Sequence, residues 1–269
     1  MTTSPPPRLP VWLWPNLLGL DAPLVALTWQ AFLALAIAVP LRPVGRITLG
    51  LTVWVIYLAD RLLDVRSAPT TRETERHRFH RRHNRLLWAL LVLAFFADLA
   101  AVFFWLRPAV FRSGLLPFTA VILYLGIVHR QRIPIPKEIA VAMLFTAGTF
   151  LIGWTFSQHR LSLLVPATAF LLLCLGNLVA IEMWEWRELR NGMDKPPHRV
   201  TLLLDRFFPW WMGALALTPI AFPTPWFLAI AASAAAILLL RRSSVRLNLN
   251  ARRVLVDAVL LTPIPWLLG

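Results

Sequence analysis

The stretch YLADRLLDV, residues 57–65, ends an apolar run that begins near residue 46. Asp60 and Asp64 are four apart, so a helix carries both on one face. Ionisable groups are costly in hydrocarbon, and a spanning segment keeps them only with partners or a task. Which of these holds here depends on what the rest of the chain is.

The 269 residues are 58% hydrophobic and 15% charged, with 13 Trp and 22 Pro, and mean hydropathy is +0.65. Soluble domains carry about a quarter charged residues, so this composition is that of a polytopic membrane protein. No strand alternation stands out, and the apolar runs are of helical length. The reading is therefore an all-α bundle of about nine transmembrane helices around a central cavity, one integral-membrane domain over 1–269. Spans are expected near 20–40, 46–64, 86–106, 113–129, 138–157, 161–183, 207–222, 224–240 and 253–268. The opening MTTSPPPRLP lacks the order of a cleavable signal peptide. The one cysteine, Cys174, lies in an apolar run and reads as a small buried hydrophobe.

A net charge of +14 would suggest nucleic acid in a soluble protein. Here its distribution accounts for it without nucleic acid. With the N-terminus in the cytoplasm, only Arg42, Arg46, Arg107, Arg112 and Arg160 of the 27 basic residues fall on the far side. That is the positive-inside pattern. The two longest connections, near 65–85 and 184–206, then share the cytoplasmic face. Each follows a span that ends in acids and runs on into basic residues.

In the sixth span, Glu182, Glu185 and Glu188 recur every three residues and cover a modest arc. If the two span ends face each other, Asp60, Asp64, Glu182, Glu185 and Glu188 form a nest of oxygen ligands suited to Mg²⁺. Arg66, Arg72 and Arg78, with Arg130, Arg132 and Lys137, suit phosphate oxygens. Acids, Mg²⁺ and arginines in a membrane suggest a lipid with a diphosphate head.

These residues resemble the UbiA-type intramembrane prenyltransferases. That family has nine spans and acidic motifs at the cytoplasmic ends of spans two and six. Its first motif reads N-D-x-x-D-x-x-x-D. Asp60 and Asp64 match the last two acids, and ADRLLD is similar to the family's ADRDID. Tyr57 stands at the first Asp and Ile56 at the Asn. YLGIVHRQRIPIPKEIAVAMLFTAGTFLIGW places Tyr124, Arg130, Arg132, Lys137 and Gly148 at corresponding points, with Glu138 where Asn is common. In RELRNGMDKPPHRVTLLL, Glu188 takes the place of the last aspartate, four before Gly192. Trp184 holds the middle position of the second motif, and all three of its acids are Glu.

The resemblance implies Mg²⁺-dependent transfer of a prenyl group from an isoprenoid diphosphate to an aromatic or other apolar acceptor. It implies a bacterial inner-membrane location with the acidic motifs cytoplasmic. Catalysis would fall to Asp60, Asp64, Glu185, Glu188 and Tyr124. Tyr57, Arg61, Arg66, Arg130, Arg132, Lys137 and Asn177 would bind substrate. Tyr57, Tyr124, Trp184 and Trp186 would offer ring faces to an allylic cation. The alternative is a non-catalytic lipid-binding or transport protein on the same scaffold.

Other features are weighed separately. His77, His80 and His83 are three apart, but five arginines between 76 and 85 repel a cation. A basic loop that meets headgroups or phosphate is the simpler reading. Asp98 sits mid-span in AFFADLAAVFF with no basic neighbour in sequence, neutral or paired across helices. Asp257 follows Arg252 and Arg253 and is expected to pair with them. Asn177 is expected to make an interhelical hydrogen bond.

Overall fold

In the computed structural model, residues 10–67, 74–128, 136–189, 196–243 and 247–269 are described, the side chains of residues 66, 67, 127, 128 and 189 excepted. Arg72, Arg130 and Arg132 lie outside that set, as does the side chain of Arg66.

Long apolar runs become long helices, because hydrocarbon leaves the backbone no partner but itself. After a short turn at Val11–Leu13 and α1 (Trp14–Leu17) come α2 (Asp21–Ala36), α3 (Pro43–Ser67) and the short α4 (Glu75–Arg82). The chain continues through α5 (Asn84–Trp105), α6 (Pro108–Val128), α7 (Lys137–Phe156) and α8 (Leu164–Leu189). It ends with α9 (Arg199–Ala216), α10 (Thr218–Ala221), α11 (Pro225–Ser243), α12 (Leu249–Ala258) and α13 (Ile264–Leu268). The described residues contain no strand.

Six helices are long and apolar enough to cross a membrane, or seven if the bent pair Val11–Leu17 and Asp21–Ala36 counts as one. The expected nine differ for physical reasons. α3 has the length, about 37 Å for 25 residues, but Arg46, Asp60, Arg61, Asp64 and Arg66 dilute its apolarity. The last span breaks because Pro263 has no N–H to continue the helix. The carbonyls freed near that break are met from neighbouring helices. Ser233 Oγ donates to the Val259 carbonyl at 2.8 Å and Trp29 Nε1 to that of Leu260 at 2.7 Å. The seventh run is helical from Arg199, earlier than its apolar stretch.

At the 79° bend between α1 and α2, Gly19 takes φ +67°, a conformation that costs other residues. A Cβ there would also lie 2.8 Å from the Tyr57 ring. Residues 75–82 of the expected loop after span two form α4. The Thr74 hydroxyl caps it by accepting from the His77 N–H at 3.3 Å, and its buried face is Arg76, Phe79 and His80.

α3 packs between α2 and α5, α7 against α6, α8 and α2, and α8 against α9, α11 and α12. The largest core cluster stacks Trp29, Phe32, Phe150, Phe170 and Trp226, with Trp29 4.8 Å from Phe170 and 4.9 Å from Trp226. The outside stays apolar: Phe103, Phe104, Trp105, Leu116 and Ile220 are exposed. A soluble protein does not present so much apolar surface, but a lipid-facing one does.

Candidate functional site

α3 carries a stripe of residues at helical spacing that lines a cavity of about 470 Å³: Thr48, Leu49, Thr52, Val53, Ile56, Tyr57, Asp60 and Arg61. α2, α5, α6, α7, α8 and α12 supply the other walls. Most lining is apolar, from Phe95, Leu99, Phe118, Val121, Phe145 and Leu178 among others. Its lining runs on α3 from Gly45 to Arg61, about 24 Å at 1.5 Å per residue. Cavities of about 300–1,000 Å³ with a few placed polar groups are the usual form of small-molecule sites.

A charged cluster stands at one end of the cavity. Lys137, at the first turn of α7, places Nζ 2.9 Å from Asp60 Oδ2 and 2.7 Å from Asp64 Oδ2. The Tyr124 hydroxyl donates to Asp60 Oδ1 at 3.3 Å. Arg61 lies over the Tyr57 ring at 4.7 Å, donates to the Tyr57 hydroxyl at 3.2 Å, and comes within 4.0 Å of Asp64. The i,i+4 spacing of the aspartates is thus used: both reach the same cation.

The expected five-carboxylate nest does not form. Among the described residues no group of three or more His, Cys, Asp or Glu is placed to hold a metal ion. Two of the outlying acids are drawn to cations of their own. Glu185 pairs with Arg253 at 2.5 Å and Arg76 at 3.5 Å, and Glu188 with Arg252 at 3.3 Å. Glu182 has no ion pair or hydrogen bond among the described residues, although Lys137 and Arg61 lie within electrostatic reach. Asp60 and Asp64 alone converge on one point. Two carboxylates are what Mg²⁺ commonly takes from a protein when a phosphate and water complete its shell. The pair fits that ion in exchange for Lys137 Nζ; Glu182, Glu185 and Glu188 do not.

Arg252 and Arg253 therefore leave Asp257 without the partners expected for it. Its Oδ1 accepts instead from Asn177 Nδ2 at 3.1 Å, and the same nitrogen lies 2.9 Å from the Val256 carbonyl. Asn16 Nδ2 donates to Asp21 at 2.7 Å and reaches Asp257 at 3.4 Å. Asp21, Asn177 and Asp257 line the cavity. Sequence reading missed Asp21 in this wall and its partner Asn16, because Asn16 reaches Asp257 across 241 positions. The only local signal was a polar pair in an apolar start. Asp98 has its partner on another helix: Thr52 Oγ1 donates to Oδ2 at 2.7 Å. Trp184 is buried in the main core cluster and Trp186 packs beside it, and neither lines the cavity.

On α4, His80 Nδ1 lies 2.8 Å from the Arg76 carbonyl and His83 Nδ1 3.0 Å from that of Phe79, within their own helix. Burial, then the charge of Arg76, pushes His77 down to about 4. Burial does the same to His80, also to about 4. Both rings fold neutral. A folded value below the ordinary 6.5 means the unfolded chain takes up protons first as pH falls. The stability these rings contribute is complete above about 6.5 and is lost between about 6.5 and about 4. Thermal unfolding in detergent is expected to show that loss, and His80→Phe to flatten it. A midpoint independent of pH across this window would contradict the burial of α4.

No family profile, curated protein or solved structure matches the chain.

Proposed function

We propose that the chain is an intramembrane prenyltransferase of the kind its motifs resemble. It would cross the membrane nine times, counting α3 and the broken α12–α13 segment, with the acidic helix ends in the cytoplasm. The observation that carries the reading is the convergence of Asp60 and Asp64 on one cation beside a long apolar cavity. An isoprenoid diphosphate has that form: a polyanionic head and a hydrocarbon tail.

In this reading Asp60 and Asp64 hold Mg²⁺, which offsets charge on the departing diphosphate when it is bound. Lys137, released from between the carboxylates, and Arg61 turn their donors to phosphate oxygens. The allylic C–O bond breaks with its electron pair going to the diphosphate. The acceptor's nucleophilic atom forms the new bond to that carbon, and its proton passes to a carboxylate or to the diphosphate. Tyr57 and Tyr124, both on the cavity wall, offer ring faces to the cationic carbon. The apolar lining keeps water from capturing it.

The test uses membranes that contain the chain, an isoprenoid diphosphate labelled in the prenyl group, and a lipid extract as acceptor source. Label is expected in a new lipid with release of inorganic diphosphate, and Asp60→Asn is expected to abolish both. Retention of the intact diphosphate without release would favour the lipid-binding reading. Lys137 supports that second reading, because it already neutralises the aspartates.

A further inference from the structure

The cavity holds a second polar place that the proposed transfer does not use. Thr52 is eight residues before Asp60 on α3, about 12 Å along the helix axis. There Asp98 of α5 accepts from the Thr52 hydroxyl at 2.7 Å, and both residues line the cavity. Leu27 of α2 meets Gly50 of α3, so Gln30, which also lines the cavity, sits deeper still. Asp98 Oδ1 and Gln30 Oε1 are both buried without a hydrogen-bond partner, and Gln30 is 2% exposed. Among the described lining residues the only cation is Arg61, at the far end.

Buried polar atoms in proteins are satisfied nine times in ten or more, and exceptions call for an explanation. Gln30 Oε1 accepts, and Asp98 Oδ1 accepts when ionised and donates when protonated, so a hydroxyl, which does both, completes either. An intramembrane carboxyl also costs about 2.5–3.5 kcal/mol to insert at a helix centre, which an apolar residue would not. The neighbouring lining residues on α5, Phe95, Leu99 and Val102, disfavour a full positive charge, whereas a neutral hydroxyl needs one good acceptor.

We propose that Asp98, oriented by Thr52, recognises a hydroxyl on the apolar body of the cavity's ligand, about 12 Å from the head bound near Asp60. Gln30 supplies a further acceptor beyond it. The ligand class is then an amphiphile with that charged head, an isoprenoid diphosphate included, whose apolar body bears an alcoholic or phenolic hydroxyl. This inference rests on the reading that the cavity takes a long apolar molecule.

The test uses the full chain in lipid nanodiscs and two matched probe pairs. Decyl phosphate and 10-hydroxydecyl phosphate carry a charged head; decylbenzene and 4-decylphenol carry none. The wild type is expected to bind the hydroxylated member about tenfold more tightly in each pair that binds, the factor that corresponds to about 1.4 kcal/mol. Asp98→Leu is expected to erase that preference, to bind the plain probes at least as well, and to raise the thermal midpoint. Thr52→Val is expected to reduce the preference while leaving binding of the plain probes unchanged. Equal affinities in the wild type, a preference that survives Asp98→Leu, or no binding of either pair would overturn the assignment. A preference within the phenol pair, with neither phosphate bound, would sink the headgroup reading and leave this one standing.

Discussion

Replacing Glu185 by Gln is expected to cost about 3–5 kcal/mol of stability, the amount lost when one partner of a buried ion pair is removed. Arg253 and Arg76 are 1% and 4% exposed and share the same oxygen of Glu185. Gln keeps the shape and removes the charge, so two guanidiniums are left facing each other in a dry place. The double variant Glu185→Gln/Arg253→Met is expected to recover part of the loss, because it removes one stranded cation as well. Unfolding in detergent, followed by tryptophan fluorescence, reads both. Unchanged stability in the single variant would mean that Glu185 does not hold α4 and α12 against α8.

The second large effect concerns the head of the cavity. Asp60→Asn is expected to weaken binding of an isoprenoid diphosphate about a hundredfold, within the about 2–5 kcal/mol lost when one partner of a buried charge pair is removed. Asp64 remains with Lys137 in that variant, so the fold keeps one ion pair at 2.7 Å. Lys137→Met is expected to act in two ways. It takes from both carboxylates the cation they share, and so lowers the thermal midpoint in the absence of a divalent ion. With Mg²⁺ present, the ion is expected to restore that midpoint, since it takes the place of the ammonium. Asp64→Asn made on top of Lys137→Met is expected to remove the Mg²⁺ response. Stability of Lys137→Met that is indifferent to Mg²⁺ would show that the aspartates do not accept the ion.

Much of the scaffold was legible in the sequence because membrane helices announce themselves by long apolar runs. Asn84–Trp105, Lys137–Phe156 and Pro225–Ser243 fall close to the expected spans. α4 has the sequence of a loop because its buried face consists of Arg76, Phe79 and His80, which no hydrophobic pattern picks out. The bend at Gly19 lies just before the first expected span, and the break before Pro263 comes from local backbone chemistry inside a run that hydropathy reads as continuous.

The site was legible only where spacing along one helix decides it. Asp60 and Asp64 share a face at i,i+4, and that reading holds. The wider nest depended on which cations the acids would meet across helices. Arg253 belongs to Glu185 rather than to its chain neighbour Asp257, and Arg76 joins it from a segment 109 positions away. Asp98 was conspicuous as an acid in mid-span, but its partner Thr52 lies 46 positions off. Pairings of this kind follow from packing, which a single sequence does not display.

The central claim is that the Asp60–Lys137–Asp64 cluster receives a diphosphate head. The most direct measurement is equilibrium binding of a labelled isoprenoid diphosphate to the purified chain in nanodiscs, with Mg²⁺ and with a chelator. Saturable binding that needs Mg²⁺ in the wild type, and is weakened about a hundredfold by Asp60→Asn, is the predicted result. Absence of binding, or binding unaffected by both the chelator and the substitution, would contradict it.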